Sequence, residues 1–200
     1  IQPQVDNPRR MGKIVIYGTS IQQGGCASRT GMVPSAMIQR DFNLECVNLA
    51  TSGQARMDFY IAQAMASIDD AICYVIDPVP NCTKDRCDTA TYDFIKILRT
   101  LRPEVPIIMV EGIMYPYTRH NSFHAEYLPQ KNEGFRRGYE QHLAENPKGL
   151  YYMTHDGQVA PEMEGTVDGV HLTDYGFRAY ADLLEVKIKE ALDDTGVEYN

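Results

Sequence analysis

The stretch KIVIYGTS, residues 13–20, gives the clearest indication of the fold. Its first six residues are dominated by β-branched and aromatic side chains, and a glycine and two hydroxyl residues follow at once. A short apolar run that ends in a turn signal is typical of a strand buried on both faces, as in a parallel sheet. Ligands of such sheets bind beyond the carboxyl ends of the strands. Ser20 is therefore predicted to lie at the functional edge of a sheet.

Four further runs have the same character, namely LECVNL (44–49), ICYVID (72–77), PIIMVEG (106–112) and a less regular GLYYM (149–153). Amphipathic stretches lie between and after them, at 31–41, 55–69, 88–102, 130–146 and 174–192. This alternation predicts β-α-β units, and so an α/β sandwich of three layers with a parallel five-stranded sheet and helices on both faces. We expect helix N-caps at Asp88 or Thr89 and at Thr173.

The length and composition favour one domain. The 200 residues suffice for one core, so we expect a single domain over 1–200, in which 1–12 form a linker or extension. An upstream domain is a second possibility. The net charge of -8 argues against a nucleic-acid partner, and no run is long and apolar enough for a membrane span. The oligomeric state stays open.

No signal peptide is recognisable in the sequence as it stands. A periplasmic or secreted location is favoured if a signal has been removed, and a cytoplasmic one otherwise. Five cysteines without a CxxC pair indicate neither a zinc ribbon nor a thioredoxin motif. Cys82 and Cys87 either form a small disulfide loop in an oxidising compartment or remain free thiols.

Three residues could form a nucleophilic site. A serine hydroxyl needs a base that takes its proton, and the base needs an acid that orients it and stabilises its charged form. Ser20 follows the first strand, while Asp168 and His171 lie three residues apart in DGVH, just before the last helix. Donors for an oxyanion could come from the backbone N–H groups of Ser20 and Gly53 and the side-chain amide of Asn81.

These blocks together carry a family resemblance. GTS at 18–20, Gly53 within NLATSGQARMD, Asn81 within IDPVPNC and DGVH at 168–171 resemble the SGNH (GDSL-like) hydrolases. The resemblance spans residues 13–181 and implies a flavodoxin-like fold with strand order 2-1-3-4-5. It also implies Ser20, Asp168 and His171 as the catalytic residues and Ser20, Gly53 and Asn81 as the oxyanion hole.

Two blocks depart from the family pattern. Thr19 stands where the family usually has aspartate, and Val79-Pro80-Asn81-Cys82 replaces Gly-X-Asn-Asp. The missing aspartate removes an acceptor that braces the loop, so Thr19 must brace the turn in another way. Val79 alters the backbone freedom next to Asn81. The GTS and PNC variants resemble a bacterial subgroup of SGNH hydrolases.

Further substrate-binding candidates are Thr19, Arg56, His120 and His124. The polar stretch 115–129 is expected to be a long loop that forms a substrate wall. His120 and His124 have a spacing that suits a metal on a helix, but no third ligand is evident, so no metal is predicted. His155-Asp156 is a rival dyad, disfavoured because it lacks the DxxH order.

The resemblance implies a serine ester hydrolase that forms an acyl-enzyme and needs no cofactor. We expect short acyl esters as substrates, such as the O-acetyl groups of a carbohydrate, presented as a small molecule or a polysaccharide. The alternatives are a thioesterase or lysophospholipase type of acylhydrolase, and a catalytically silent carbohydrate-binding domain.

Overall fold

Five parallel strands form one sheet in the order β2-β1-β3-β4-β5. The computed structural model describes residues 11–199, so positions 1–10 of the expected N-terminal extension lie outside the described residues. The strands are β1 (Lys13–Gly18), β2 (Glu45–Asn48), β3 (Ala71–Asp77), β4 (Ile107–Val110) and β5 (Leu150–Met153). The predicted fold class and strand order are confirmed.

Within residues 11–199, six α-helices cover the sheet. They are α1 (Ser20–Gln23), α2 (Pro34–Phe42), α3 (Phe59–Ala66), α4 (Lys84–Leu101), α5 (Ser122–Glu145) and α6 (Asp174–Thr195). Across residues 11–199, none combines the length and hydrophobicity needed to cross a membrane.

Strand β1 is apolar at consecutive positions because both of its faces are buried. Ile14 and Ile16 pack into a core with α2 and α6, while Val15 and Tyr17 pack into a second core with α3, α4 and α5. All four side chains are fully buried. A strand with one face in water would instead alternate apolar and polar residues.

Two helices begin earlier than the sequence predicted. Thr83, and not Asp88 or Thr89, caps α4, since its hydroxyl accepts a hydrogen bond from Arg86 N at 3.1 Å. Asn121 caps α5 by accepting from His124 N at 3.1 Å. Thr173 caps α6 as predicted, with Gly176 N as the donor at 3.1 Å. Side-chain capping therefore determined these starts, because it satisfies backbone donors that a helix leaves free.

The prediction of a long loop over 115–129 is wrong for most of this segment. A 3-10 turn (Pro116–His120) follows the exit from β4, and α5 then begins at Ser122 and continues through Pro129. Proline removes one backbone donor from a helix and usually interrupts it. Here Pro129 is exposed, while Leu128, Lys131 and Asn132 on the same helix are buried, so tertiary packing holds the helix together across the proline.

Backbone contact between two glycines fixes the segment that carries DGVH. A Cβ atom on Gly176, in the first turn of α6, would lie 2.1 Å from the Gly165 carbonyl oxygen. Thr173 N also donates to that oxygen at 2.9 Å, and Val167 N donates to His171 O at 2.8 Å. The segment therefore folds back against the start of α6, and this holds Asp168 and His171 at the carboxyl edge of the sheet.

Gly176→Ala should lower the free energy of unfolding by about 2 kcal/mol or more, because the added methyl group meets rigid backbone. Urea denaturation would measure this loss. Gly31→Ala is the control, since the nearest atom to its added Cβ is Arg40 Nη1 at 3.7 Å. Its stability should change by less than about 0.5 kcal/mol. Equal stability of the two variants would contradict the close contact.

Candidate active site

A cleft of about 530 Å³ opens at the carboxyl edge of the sheet. It brings together the ends of β1 and β3, the loop after β2, the N-terminal half of α5 and the DGVH segment. Its lining includes Ser20, Ser52, Gly53, Asn81, Tyr115, Tyr117, His124, Tyr127, Lys131 and His171. Residues from six separate parts of the chain, one of them the segment of Tyr115 and Tyr117 after β4, therefore meet in one place, as expected for the ligand edge of an open α/β sheet.

Ser20, His171 and Asp168 form a continuous hydrogen-bonded chain. Ser20 Oγ lies 3.0 Å from His171 Nε2, and His171 Nδ1 lies 2.8 Å from Asp168 Oδ2. Both distances are within hydrogen-bond reach. A histidine between an acid and a hydroxyl can accept the hydroxyl proton at one ring nitrogen while the acid holds the other.

Asp168 is well suited to remain ionised. Its hydrogen bond with the His171 ring and the backbone N–H groups of His171 and Val170 lower its pKa to about 2. Those N–H groups donate to Asp168 Oδ1 at 2.7 and 2.9 Å. The carboxylate is therefore charged at every pH of mild acidity or above, and its second oxygen is left to orient His171.

Ser20 is the first residue of α1, and Thr19 caps that helix. Thr19 Oγ1 accepts from Ile21 N at 3.4 Å, and the whole Thr19 side chain is buried. Thr19 thus braces the turn and lies away from solvent. The Ser20 N–H is at a helix N-terminus, where backbone donors have no partner within the helix.

Two of the expected oxyanion donors lie beside Ser20 in the cleft. Asn81 Oδ1 accepts from Ala55 N at 3.3 Å, so the amide NH₂ is the part of the side chain that remains for a ligand. Gly53 has a φ of +70°, and a Cβ added there would meet no atom within 4 Å. A positive φ suits glycine and presents the bare backbone to the cleft.

The three remaining candidates for substrate binding differ in their position relative to the cleft. His124 lines the cleft, and its ring packs edge-on against Tyr117 at 5.3 Å between centroids. Arg56 and His120 are exposed and do not belong to the cleft lining. Arg56 Nη2 instead donates to Gly53 O at 3.3 Å, so this arginine supports the loop that carries Gly53.

His155 belongs to a different cluster, which surrounds the buried carboxylate of Glu111. Its Nδ1 lies 2.7 Å from Glu111 Oε2, and its backbone N–H donates to the same oxygen at 3.0 Å. Glu111 also receives hydrogen bonds from Arg136 and Tyr152. Although burial opposes ionisation, the hydrogen bonds from His155 and Arg136 lower the pKa of Glu111. Glu111 is thus the acid that is hydrogen-bonded to His155, while Asp156 Oδ1 lies farther away, at 3.8 Å from His155 Nε2.

The two cysteines that could have formed a disulfide loop lie at or near the cleft. Cys82 lines the cleft, and both Cys82 and Cys87 are buried free thiols. Within residues 11–199, no three His, Cys, Asp or Glu side chains come together as metal ligands.

A buried polar network contacts the helix of Ser20 and was not predicted from the sequence. Asp77 ends β3, and its Oδ2 accepts from Gln22 Nε2 at 3.0 Å and from Tyr180 OH at 2.8 Å. Gln22 is the third residue of α1, so the network ties the helix of Ser20 to β3 and α6. The position of Asp77 at a strand end was the available signal, but its partners lie 55 and 103 residues away.

Comparison with known proteins places the chain in a family. The profile of the GDSL-like Lipase/Acylhydrolase family matches residues 11–189. The chain belongs to this family. The resemblance read from the four sequence blocks is confirmed at that level, and the GTS subgroup within the GDSL-like family stays a prediction. No curated protein is significantly similar in sequence.

Several solved structures share the fold of this chain. A GDSL-like lipase candidate from Bacteroides ovatus is 33% identical, with a TM-score of 0.88 over 94% of this chain and 55% of its own. A family two carbohydrate esterase from Clostridium thermocellum, solved with cellohexaose, is 18% identical, with a TM-score of 0.68 over 94% of this chain and 66% of its own. A salicylyl-acyltransferase, SsfX3, from a tetracycline biosynthetic pathway is 15% identical, with a TM-score of 0.78 over 90% of this chain and 55% of its own.

The similarity to the two more distant structures is a similarity of fold. The chain spans from 55% to 66% of the length of these three proteins. The single-domain organisation over 1–200 therefore stays a prediction.

The buried network makes stability depend on pH. Burial raises the pKa of Asp77 to about 7, from 3.8 when exposed. Since the folded state holds this proton more tightly than the unfolded chain, the stability that it contributes is present at low pH. This contribution to the free energy of unfolding falls by a few kcal/mol as the pH rises from about 4 to about 7.

Asp77→Asn removes the titrating group and keeps an oxygen that accepts from Gln22 and Tyr180. The free energy of unfolding of this variant, relative to wild type, should therefore rise between pH 4 and pH 8 by about 2 to 4 kcal/mol. Chemical denaturation at each pH measures it. Asp93→Asn, on the exposed side of α4, is the matched control and should show no such trend. Parallel curves for Asp77→Asn and wild type would refute the raised pKa.

Proposed function

We propose that the chain is a serine ester hydrolase in which Ser20 attacks the ester carbonyl and His171 takes its proton. The observation that carries this proposal is the 3.0 Å contact between Ser20 Oγ and His171 Nε2, two atoms whose residues are 151 positions apart. A contact of this kind between a helix N-terminal serine and a histidine held by an acid is what nucleophilic acyl transfer requires.

The reaction then proceeds in two halves. Attack by Ser20 Oγ forms a tetrahedral intermediate, and the imidazolium of His171 is stabilised by the Asp168 carboxylate. His171 next gives its proton to the leaving alcohol, and the acyl group remains on Ser20. A water molecule, deprotonated by His171, attacks the acyl carbonyl, and His171 then returns this proton to Ser20 Oγ as the bond to the acyl group breaks and the carboxylic acid leaves. No cofactor takes part in either half.

The oxyanion of each intermediate needs hydrogen-bond donors already in place. We assign this role to the N–H groups of Ser20 and Gly53 and to the amide NH₂ of Asn81. The Asn81 amide is oriented by the bond from Ala55 N to its Oδ1. Val79 does not disturb this arrangement, since its side chain is buried and the 3-10 turn Val79–Asn81 is closed by a 3.0 Å bond from Asn81 N to Pro78 O.

The lining of the cleft supports a short acyl group on a carbohydrate. Polar side chains from Ser52, Asn81 and Thr83 line the cleft together with tyrosine rings. The apolar cavity beside it, lined by Ile113 and Leu128, has a volume of about 160 Å³, which is too small to serve as a channel for a long acyl chain. A long fatty chain needs such a channel to leave water. Tyr117 and Tyr127 offer aromatic faces, whose negative potential attracts the C–H groups of a sugar ring. A small acetylated sugar or polysaccharide is therefore the preferred substrate.

Ser20→Ala should reduce kcat/KM for 4-nitrophenyl acetate by at least about 10³-fold, because it removes the nucleophile. A fluorophosphonate probe should label wild type at Ser20 and leave the variant unlabelled. Ser67→Ala, an exposed serine at the end of α3, is the control and should behave as wild type. Full activity of Ser20→Ala would overturn the nucleophile. Failure of the probe to label folded wild type would favour the silent carbohydrate-binding alternative.

Acyl chain length separates the esterase from a thioesterase or lysophospholipase. We expect kcat/KM for 4-nitrophenyl esters to fall by about tenfold or more beyond butyryl, because each further methylene lacks apolar surface to pack against. Rates from acetyl to palmitoyl esters, measured below their critical micelle concentrations, test this. Rates that rise toward palmitoyl would favour the lysophospholipase alternative.

A further inference from the structure

One lysine of the cleft carries a charge that the protein does not balance. Lys131 lies on α5 and is only 3% exposed, yet it lines the cleft together with Ser20 and His171. Its Nζ donates to the Pro80 carbonyl oxygen at 3.1 Å and lies 5.9 Å from the centre of the Tyr127 ring. Within residues 11–199, no carboxylate is within ion-pair distance of it.

An ammonium group has three donors, and this one uses a single strong acceptor. Burial lowers the pKa of Lys131, and the neighbours that oppose this shift are Cys87 and Cys82, which are thiols and not carboxylates. Burying an unpaired charge is costly, so buried lysines are normally paired. A group that arrives with the substrate would supply the missing acceptor.

The contrast with Arg99 shows that Lys131 is not saturated by backbone carbonyls. Arg99 is 8% exposed and lies near the opposite edge of the sheet. Its guanidinium donates to four carbonyl oxygens, those of Pro103, Val105, Lys148 and Gly149. Both terminal nitrogens of Arg99 are therefore satisfied by the protein, although its Nε has no hydrogen-bond partner. Lys131 has one such carbonyl and lines an open cleft.

We propose that Lys131 is a specificity-determining residue that binds a carboxylate of the substrate. The inference rests on the proposed function, since it names the substrate class of the same site. Lys131 bonds to Pro80, which directly precedes Asn81, so the carboxylate would lie on the Asn81 side of the cleft. It belongs either to the acyl half, as in the half-ester of a dicarboxylic acid, or to the alcohol half, as in an acetylated uronic acid.

Two pairs of substrates distinguish these sources. For the acyl half, 4-nitrophenyl hemisuccinate is compared with the 4-nitrophenyl ester of monomethyl succinate, which has similar length and no charge. For the alcohol half, an acetylated glucuronoside is compared with the acetylated glucoside. In at least one pair, wild type should prefer the charged substrate by about tenfold or more in kcat/KM, as expected for a hydrogen bond between charged groups.

Lys131→Gln should lower that charged-to-neutral ratio by about tenfold or more. Glutamine keeps a donor for the Pro80 carbonyl and removes the charge, so the ratio separates charge recognition from loop support. Lys96→Gln is the matched control, because Lys96 is an exposed lysine whose Nζ lies 5.5 Å from the centre of the Tyr92 ring. It should leave the ratio unchanged.

Several outcomes would overturn the inference. Wild type that hydrolyses these esters without preferring the charged member of either pair would do so, and so would an unchanged ratio in Lys131→Gln. An equal loss on charged and neutral esters would identify Lys131 as a positioning residue for the turn at Pro80.

Binding without turnover keeps the test independent of the proposed chemistry. Ser20→Ala is titrated calorimetrically with succinate, glucuronate and glucose, and the titration is repeated with Lys131→Gln added. Lys131-dependent binding of either carboxylate supports the inference even if wild type hydrolyses none of the esters, a result that would refute only the esterase. Binding of neither carboxylate to Ser20→Ala overturns it.

Discussion

The contact between Ser20 Oγ and His171 Nε2 is the constraint on which the site depends. These residues come from the two ends of the fold, one directly after β1 and the other directly before α6. A parallel sheet brings the carboxyl ends of its strands to one edge, and the packing of α6 against the core with Ile14 and Ile16 returns the last segment to that edge. The close approach of Gly165 and Gly176 then fixes the position of the DGVH turn against the first turn of α6.

A second constraint holds the nucleophile from behind. The helix that starts at Ser20 is only four residues long, too short to be stable by itself. Gln22 connects it to Asp77 and Tyr180 inside the core, where hydrogen bonds are stronger than in water because the local dielectric is low. Thr19 caps the helix but has no carboxylate to offer. Asp77 supplies the buried acceptor at this position of the fold.

Two charged groups at the active site differ in how their charge is stabilised. Asp168 contacts the side of His171 away from Ser20 and is half exposed, and a histidine and two backbone N–H groups stabilise its negative charge. Lys131 lines the cleft and is buried, and a single carbonyl oxygen accepts a hydrogen bond from it. Asp168 is therefore paired before a substrate arrives, whereas Lys131 has no carboxylate partner within residues 11–199 and gains one from a ligand. This asymmetry is what separates groups that orient catalytic residues from groups that select substrates.

The sequence alone predicted the parallel sheet, the cap at Thr173 and, through its family resemblance, the strand order. It also singled out Ser20, Asp168 and His171 as catalytic candidates. The sheet and the cap follow from local patterns, since a strand buried on both faces is visible within a short window. Only in the folded structure does it become clear that α5 continues through Pro129, that His124 lines the cleft while His120 and Arg56 do not, and that Asp77 and Lys131 are buried. Burial and pairing depend on distant residues, since Asp77 bonds to Tyr180 103 positions away and Lys131 to Pro80 51 positions away, and no local pattern records such neighbours.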